Sequence, residues 1–190
     1  MKNICVIGHA NNTSVNETNS KWADVLVDWC LKNNYRLTTG GCIGIPEIVA
    51  NKMFERGGDV LGYSPGVDEN EHITEFGFAG NKDMKMRYIK PTTASRNAKF
   101  LIRSIDLVDE ADLVVCFRGT WGTLSEIVFA VMCSKQILFL NIDRDNNVLK
   151  EVYDLMQTIN MYDWEEKFVE VKSIEEFKEK LTNYEKTGSI

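Results

Sequence analysis

Arg118-Gly119-Thr120-Trp121-Gly122-Thr123-Leu124-Ser125-Glu126 stands between an apolar run, Ala111-Asp112-Leu113-Val114-Val115-Cys116-Phe117, and a helical stretch opening at Leu124. The run is short, β-branched and almost uncharged, as in a parallel strand buried on both faces. Strand, small-residue turn and helix N-terminus, in that order, build an anion site. Gly119 and Gly122 let backbone N–H groups approach a ligand with no Cβ in the way, while Thr120, Thr123 and Ser125 add hydroxyls around the positive end of the helix dipole. A phosphate group suits this arrangement. Glu126 reads two ways: as a first-turn acid favoured by the helix dipole, or as a carboxylate aimed at a part of the ligand other than the phosphate it would repel.

The 190 residues are 44% hydrophobic and 26% charged, which suits a single globular domain over 1–190 with a core of its own. A formal net charge of -6 argues against nucleic-acid and anionic-membrane surfaces, which call for clustered Lys and Arg. The expected partner is therefore a small phosphorylated molecule held locally, with no nucleic acid and no membrane. The chain does not open with a basic stretch leading into an apolar one, and it contains no apolar run long enough to span a bilayer, so the cytoplasm is the expected compartment. Cys5, Cys30, Cys42, Cys116 and Cys133 form no Cys-x-x-Cys pair and read as buried, reduced thiols. His9 and His72 stand apart with no ligand-spaced neighbour, so neither a metal site nor a Ser-His-Asp triad is expected.

Outward from the central stretch the pattern repeats. Asn3 to Gly8 reads as a strand ending at a glycine, with a polar loop through His9, Asn11, Asn12 and Thr13 as the first ligand contact. Trp22, Val25, Leu26, Trp29 and Cys30 recur at helical spacing after a Ser20 N-cap. Tyr35 to Thr38 reads as a strand running into Thr39-Gly40-Gly41-Cys42-Ile43-Gly44, and Pro46 suits the first turn of a helix that stops at Gly57-Gly58. Asp59 to Tyr63 is a strand, and Ser64 to Lys90, without a sustained period, a long loop or lid. Thr92 or Thr93 caps a helix through about Val108, with Arg96 and Asn97 in its first turns. The helix Leu124 to Ser134 is apolar almost all round and needs burial on two sides, hence in a homodimer. Gln136 to Leu140 is a strand, Val148 to about Ile159 a helix, Phe168 to Val171 a strand, and Ser173-Ile174-Glu175-Glu176 a capping box. Strands alternating with helices predict a doubly wound, mostly parallel α/β sheet with helices on both faces. Ligands bind beyond the carboxyl ends of such strands, so the loops after Ile7, Thr38 and Phe117 converge on one crevice.

Val6-Ile7-Gly8, Gly40-Gly41-Cys42-Ile43-Gly44, Arg96-Asn97 and Arg118 to Glu126, in this order, resemble the motifs of the LONELY GUY cytokinin-activating phosphoribohydrolases, often mislabelled lysine decarboxylases. The wider Rossmann-like nucleotide-binding superfamily of that family includes molybdenum-cofactor carrier proteins. Over roughly residues 1 to 145 the family pattern is a strand-Gly start, a Gly-Gly-x-x-Gly turn, a helical Arg-Lys or Arg-Asn pair and Pro-Gly-Gly-x-Gly-Thr-x-x-Glu. Arg118 stands here for the proline and Thr120 for the second glycine, and Asn97 resembles the carrier-type branch.

The resemblance implies hydrolysis of the N-glycosidic bond of a nucleoside 5′-monophosphate, with no metal or organic cofactor. Glu126 is then the catalytic carboxylate and Arg96 positions phosphate or base. Gly8, Gly40, Gly41, Gly44, Asn97, Arg118, Gly119, Thr120, Gly122 and Thr123 hold the ligand. Apart from the resemblance, Arg96 reads as a solvated helix residue or half of a salt bridge. The rival reading is a non-catalytic carrier or sensor of a nucleotide- or pterin-type ligand. A pyridoxal-phosphate decarboxylase is not favoured, since no lysine sits beyond a strand end in a site-like context, and Gly8-His9-Ala10-Asn11-Asn12-Thr13 lacks the Gly-x-Gly-x-x-Gly of dinucleotide enzymes.

Overall fold

Strands β1 (Asn3–Ile7) and β5 (Leu113–Cys116) lie side by side in parallel, Val6 opposite Val115 and Ile7 opposite Cys116. Alternate side chains go to opposite faces: Ile4, Val6, Leu113 and Val115 enter one core cluster, Cys5, Ile7, Val114 and Cys116 the other. Burial on both faces explains why these runs carry no charge beyond their ends. The computed structural model describes residues 1–11, 16–76, 84–142, 154 and 167–190. Among these, seven strands form one wholly parallel sheet. The remaining strands are β2 (Arg36–Thr39), β3 (Val60–Ser64), β4 (Lys85–Tyr88), β6 (Gln136–Leu140) and β7 (Phe168–Val171), and the order is β4-β3-β2-β1-β5-β6-β7. The chain winds one way from β1 to β4 and the other way from β5 to β7, so the switch point falls between β1 and β5.

Helices α1 (Glu17–Lys32) and α2 (Ile45–Glu55) cover one face together with a C-terminal helix, Ile174–Thr187, whose Phe177 and Leu181 join Trp22, Leu26, Val49 and Met53 in the core. On the other face, α4 (Arg96–Asp109) and α5 (Trp121–Met132) bury Leu107, Val108, Ile127 and Ala130. A short helix, α3 (Glu69–Phe76), precedes β4, and the C-terminal helix is α6. The doubly wound α/β expectation therefore holds.

Several local expectations give way. α1 starts before Ser20, because Asn16 accepts a hydrogen bond from Asn19 N–H at 2.8 Å and caps it. Ser95, rather than Thr92 or Thr93, caps α4. The segment expected as a loop over 64–90 contains α3 and the edge strand β4. Only His72 and Phe76 are buried in α3, and β4 alternates Lys85 and Arg87 outward with Met86 and Tyr88 half-buried, too few positions to establish a period. α5 starts at Trp121 with Thr120 as its cap, three residues ahead of Leu124, so most of the anticipated glycine turn is already helix. Cys133 is exposed, unlike the other four thiols. Ser173 accepts from Glu176 N–H at 3.1 Å, while the Glu176 carboxylate takes the Lys172 N–H at 2.7 Å. Of the expected helix 148–159 only Asp154, which is helical, lies among the described residues.

Candidate functional site

The loops that follow β1, β2 and β5 are tied together by one residue's backbone. His9 N–H donates to Arg118 C=O at 2.9 Å, and His9 C=O accepts from Ile45 N–H at 3.1 Å. This junction demands close approach. Gly44 caps α2 at φ 88°, where a Cβ would lie 2.3 Å from His9 O, and a Cβ at Gly119 would lie 1.9 Å from Thr123 Oγ1. Thr39, fully buried at the end of β2, accepts the Gly41 N–H at 3.1 Å and holds the second glycine turn in place.

Between the three loops, at the sheet's switch point, lies a crevice of about 130 Å³. Its lining includes Gly8, Ala10, Gly40, Cys42, Phe100, Arg103, Thr120, Gly122, Thr123 and Glu126. Thr120 caps α5 without a side-chain hydrogen bond of its own to the first turn. The positive end of the helix dipole thus borders the crevice, which Thr120, Gly122 and Thr123 line.

Glu126 is 6% exposed and ion-paired with Arg103, itself 7% exposed. Arg103 Nη1 donates to Glu126 Oε1 at 2.9 Å and Ser104 Oγ donates to the same oxygen at 3.0 Å. Both bonds converge on Oε1, leaving Oε2 free of hydrogen bonds to the described residues. Burial raises the Glu126 pKa, while Arg103 and Ser104 pull it back down. Arg103 Nε is buried with no partner among the described residues. An unsatisfied buried donor costs about 1–3 kcal/mol, so a crevice-lining guanidinium in this state fits a site that an anion completes.

Of the residues expected at the site, Gly8, Gly40, Thr120, Gly122, Thr123 and Glu126 line the crevice, and Gly41, Gly44, Arg96, Asn97, Arg118 and Gly119 do not. Gly41, at φ 60°, and Gly44 shape the backbone of the turn behind it. Arg118 contributes a backbone carbonyl to the His9 junction. Arg96 lies outside the crevice lining: its guanidinium sits over Phe76 and Phe100, at 5.3 and 5.4 Å from their ring centres, and hydrogen-bonds Glu75 C=O at 3.4 Å. Asn97 beside it is exposed. The arginine that meets Glu126 is Arg103, two turns further along α4. Its signal was present in the sequence: Phe100, Arg103 and Leu107 follow one helical stripe, and a cation on a buried stripe requires a buried anion.

A parallel, doubly wound sheet with a crevice at its switch point defines a Rossmann-like α/β protein. The SLOG cluster4 family model matches residues 1–169, and the chain belongs to that family. A search of curated proteins returns no match. Among solved structures the chain is similar to the structural-genomics target TM1055 (22% identity, 96% of this chain and 99% of that one, TM-score 0.67). It is also similar to the molybdenum cofactor binding protein from the phototrophic bacterium Rippkaea orientalis (21%, 96% of each chain, TM-score 0.65). A third similar structure is DNA processing protein A from Helicobacter pylori, described for its single-stranded DNA binding mode (16%, 96% of this chain and 80% of that one, TM-score 0.67). At these identities the likeness extends to the fold.

The last similarity corrects one expectation. A net charge of -6 was read as excluding nucleic acid, yet this fold serves a protein that binds single-stranded DNA. Net charge averages the whole surface, whereas recognition depends on the local field of one cleft, so the exclusion does not stand. No helix among the described residues is long and apolar enough to cross a membrane.

Proposed function

We propose that the crevice binds a nucleoside 5′-monophosphate and hydrolyses its N-glycosidic bond, releasing free base and ribose 5-phosphate. The observation that carries this reading is the Glu126 carboxylate, held by Arg103 and Ser104 through one oxygen near the N-terminus of α5, whose cap residue Thr120 makes no side-chain hydrogen bond to it. The phosphate is taken by the first-turn N–H groups with the Thr123 hydroxyl and Arg103. Glu126 Oε2 then faces the sugar. It stabilises the positive charge that develops at C1′ as the C–N bond breaks, and it accepts a proton from the attacking water, while the departing base takes up a proton. Burial makes this carboxylate a stronger base than an exposed one. Incubating the protein with a panel of nucleoside 5′-monophosphates and resolving the products by chromatography tests the proposal: free base is expected from at least one, and none from any contradicts it.

A second reading, a non-catalytic carrier or sensor of a nucleotide- or pterin-type ligand, is supported by Arg118 and Thr120 in the turn and by the fold shared with the Rippkaea orientalis protein. It predicts retained binding with no base release. Assembly into a homodimer belongs to either reading. Leu101 and Ile105 of α4 are each 46% exposed, and Val128 and Met132 of α5 are 40% and 75% exposed, an outer apolar stripe that a second copy would cover. Sedimentation at micromolar concentration should show a dimer, and a monomer contradicts that assignment.

A further inference from the structure

Phe100 is the one aromatic side chain among the described residues that line the crevice. It stands on the same stripe of α4 as Arg103 and three positions earlier, about 4.5 Å back along the helix axis. α4 leads into β5 of a parallel sheet, so its N-terminal end lies at the carboxyl edge, where the crevice opens. Phe100 therefore sits above Arg103, nearer the mouth. Its ring is braced from the side of α3: Phe76 meets it edge-on, with centroids 5.2 Å apart and planes at 90°, and the Arg96 guanidinium lies over it at 5.4 Å. The Lys99–Glu71 ion pair ties the two helices together at the same level. Neither Phe76 nor Arg96 lines the crevice, so the Phe100 ring stands between these supports and the cavity. Bracing of this kind orders the side chain before a ligand arrives and lowers the entropy lost on binding.

The lining divides by polarity. Thr120, Gly122 and Thr123 belong to the N-terminal end of α5, and Arg103 and Glu126 meet in an ion pair, a set that suits a phosphate and the sugar next to it. Phe100, Ala10, Cys42 and Pro46 are the apolar remainder. A sugar phosphate carries hydroxyls and charge throughout and gains little from an aromatic wall, whereas a purine or pyrimidine gains beyond the area it buries. The crevice, at about 130 Å³, is also smaller than the roughly 300 Å³ at which ordinary small-molecule sites begin, so part of a nucleotide projects through the mouth, past Phe100. Resting on the crevice as the phosphate site of the proposed reaction, we infer that Phe100 is the residue against which the nucleotide base packs, and that it selects phosphosugars carrying an aromatic base over phosphosugars alone. Aromatic contact reads ring surface and not hydrogen-bonding edges, so Phe100 favours bases as a class, the larger purines most.

Calorimetric titration of the wild type, Phe100→Leu and Phe100→Tyr tests this, with ribose 5-phosphate and the carbocyclic analogues of adenosine and uridine 5′-monophosphate as ligands. The bond from base to ring in these analogues does not hydrolyse, so binding is read apart from turnover. Phe100→Leu keeps an apolar side chain but no ring, and should weaken both nucleotide analogues by about tenfold, the purine more than the pyrimidine. Phe100→Tyr should keep the wild-type affinities, and ribose 5-phosphate should bind all three proteins equally. In the wild type, nuclear Overhauser contacts should join the adenine H8 and H2 protons to the Phe100 ring protons, a readout that does not depend on how the variants fold. Analogue affinity unchanged in Phe100→Leu overturns the inference, as does the absence of those Overhauser contacts. An equal loss of ribose 5-phosphate overturns it too, because Phe100 would then only support the shape of the crevice. If the wild type binds ribose 5-phosphate but neither analogue more tightly, the base contact fails and the anion site stands; if it binds none of the three, the anion site itself fails and the inference with it.

Discussion

A Cβ on residue 40 would lie 2.5 Å from Arg103 Nη1, so the glycine after β2 and the arginine of α4 share one space. Gly40 is what allows the guanidinium to reach Glu126. Replacing it with alanine displaces the end of a flexible side chain, which the fold tolerates, but it disturbs the 2.9 Å contact with Glu126 Oε1. Gly40→Ala should therefore keep a cooperative melt while losing on the order of tenfold or more in affinity for phosphorylated ligands. Calorimetry against ribose 5-phosphate checks this, and unchanged affinity would detach Arg103 from the anion site.

Arg103 and Arg96 should separate cleanly in stability. Arg103→Ala leaves Glu126 buried without its counter-charge, and removing one partner of such a pair costs about 3–5 kcal/mol. Arg96 is exposed and rests on Phe76 and Phe100, an arrangement worth about 0.5–1 kcal/mol. Urea unfolding of the two alanine variants measures the difference. Equal losses would mean that the buried pair is not the stronger coupling.

Two buried groups give stability opposite pH dependences. Burial raises Glu126 above its ordinary 4.5, so its contribution is complete below that value and is lost as pH rises through the folded-state pKa. Burial lowers His72 below 6.5, against a smaller opposing influence of Glu69, so its contribution is present above 6.5 and is lost as pH falls through the folded-state pKa. His72 Nδ1 lies 2.8 Å from the buried Ser64 hydroxyl, which also accepts the Gly66 N–H, so protonation strains the seat of α3. Unfolding free energy measured from pH 7 to pH 5 should fall less steeply in His72→Gln than in the wild type. An identical slope would show that His72 does not carry the effect.

The parts of the fold legible in the sequence were those whose burial leaves an uninterrupted signature. β1 and β5 have both faces covered, and no polar residue breaks their runs. β4 and α3 escaped because an edge strand with alternating Lys85 and Arg87 and a helix burying only His72 and Phe76 look locally like a polar loop. The glycine turns could be placed at one sheet edge from strand order alone, since parallel strands put all their carboxyl ends together. Arg96 and Arg103, seven residues apart, lie on one side of α4 and differ in depth along it, Arg96 exposed at the first helical position and Arg103 buried two turns on; the Phe100, Arg103, Leu107 stripe was the one sign in the sequence of which arginine meets Glu126.

Turnover and affinity measured together in Glu126→Gln test the central proposal most directly. The substitution keeps size and hydrogen bonding but removes the charge. Base release from a nucleoside 5′-monophosphate turned over by the wild type should fall by about a hundredfold or more. Binding of ribose 5-phosphate should survive or tighten, because a carboxylate near the phosphate has lost its charge. Wild-type base release that persists unchanged in Glu126→Gln would contradict the assignment of Glu126 as the catalytic carboxylate, and ligand binding without any wild-type base release would contradict hydrolysis and leave the carrier.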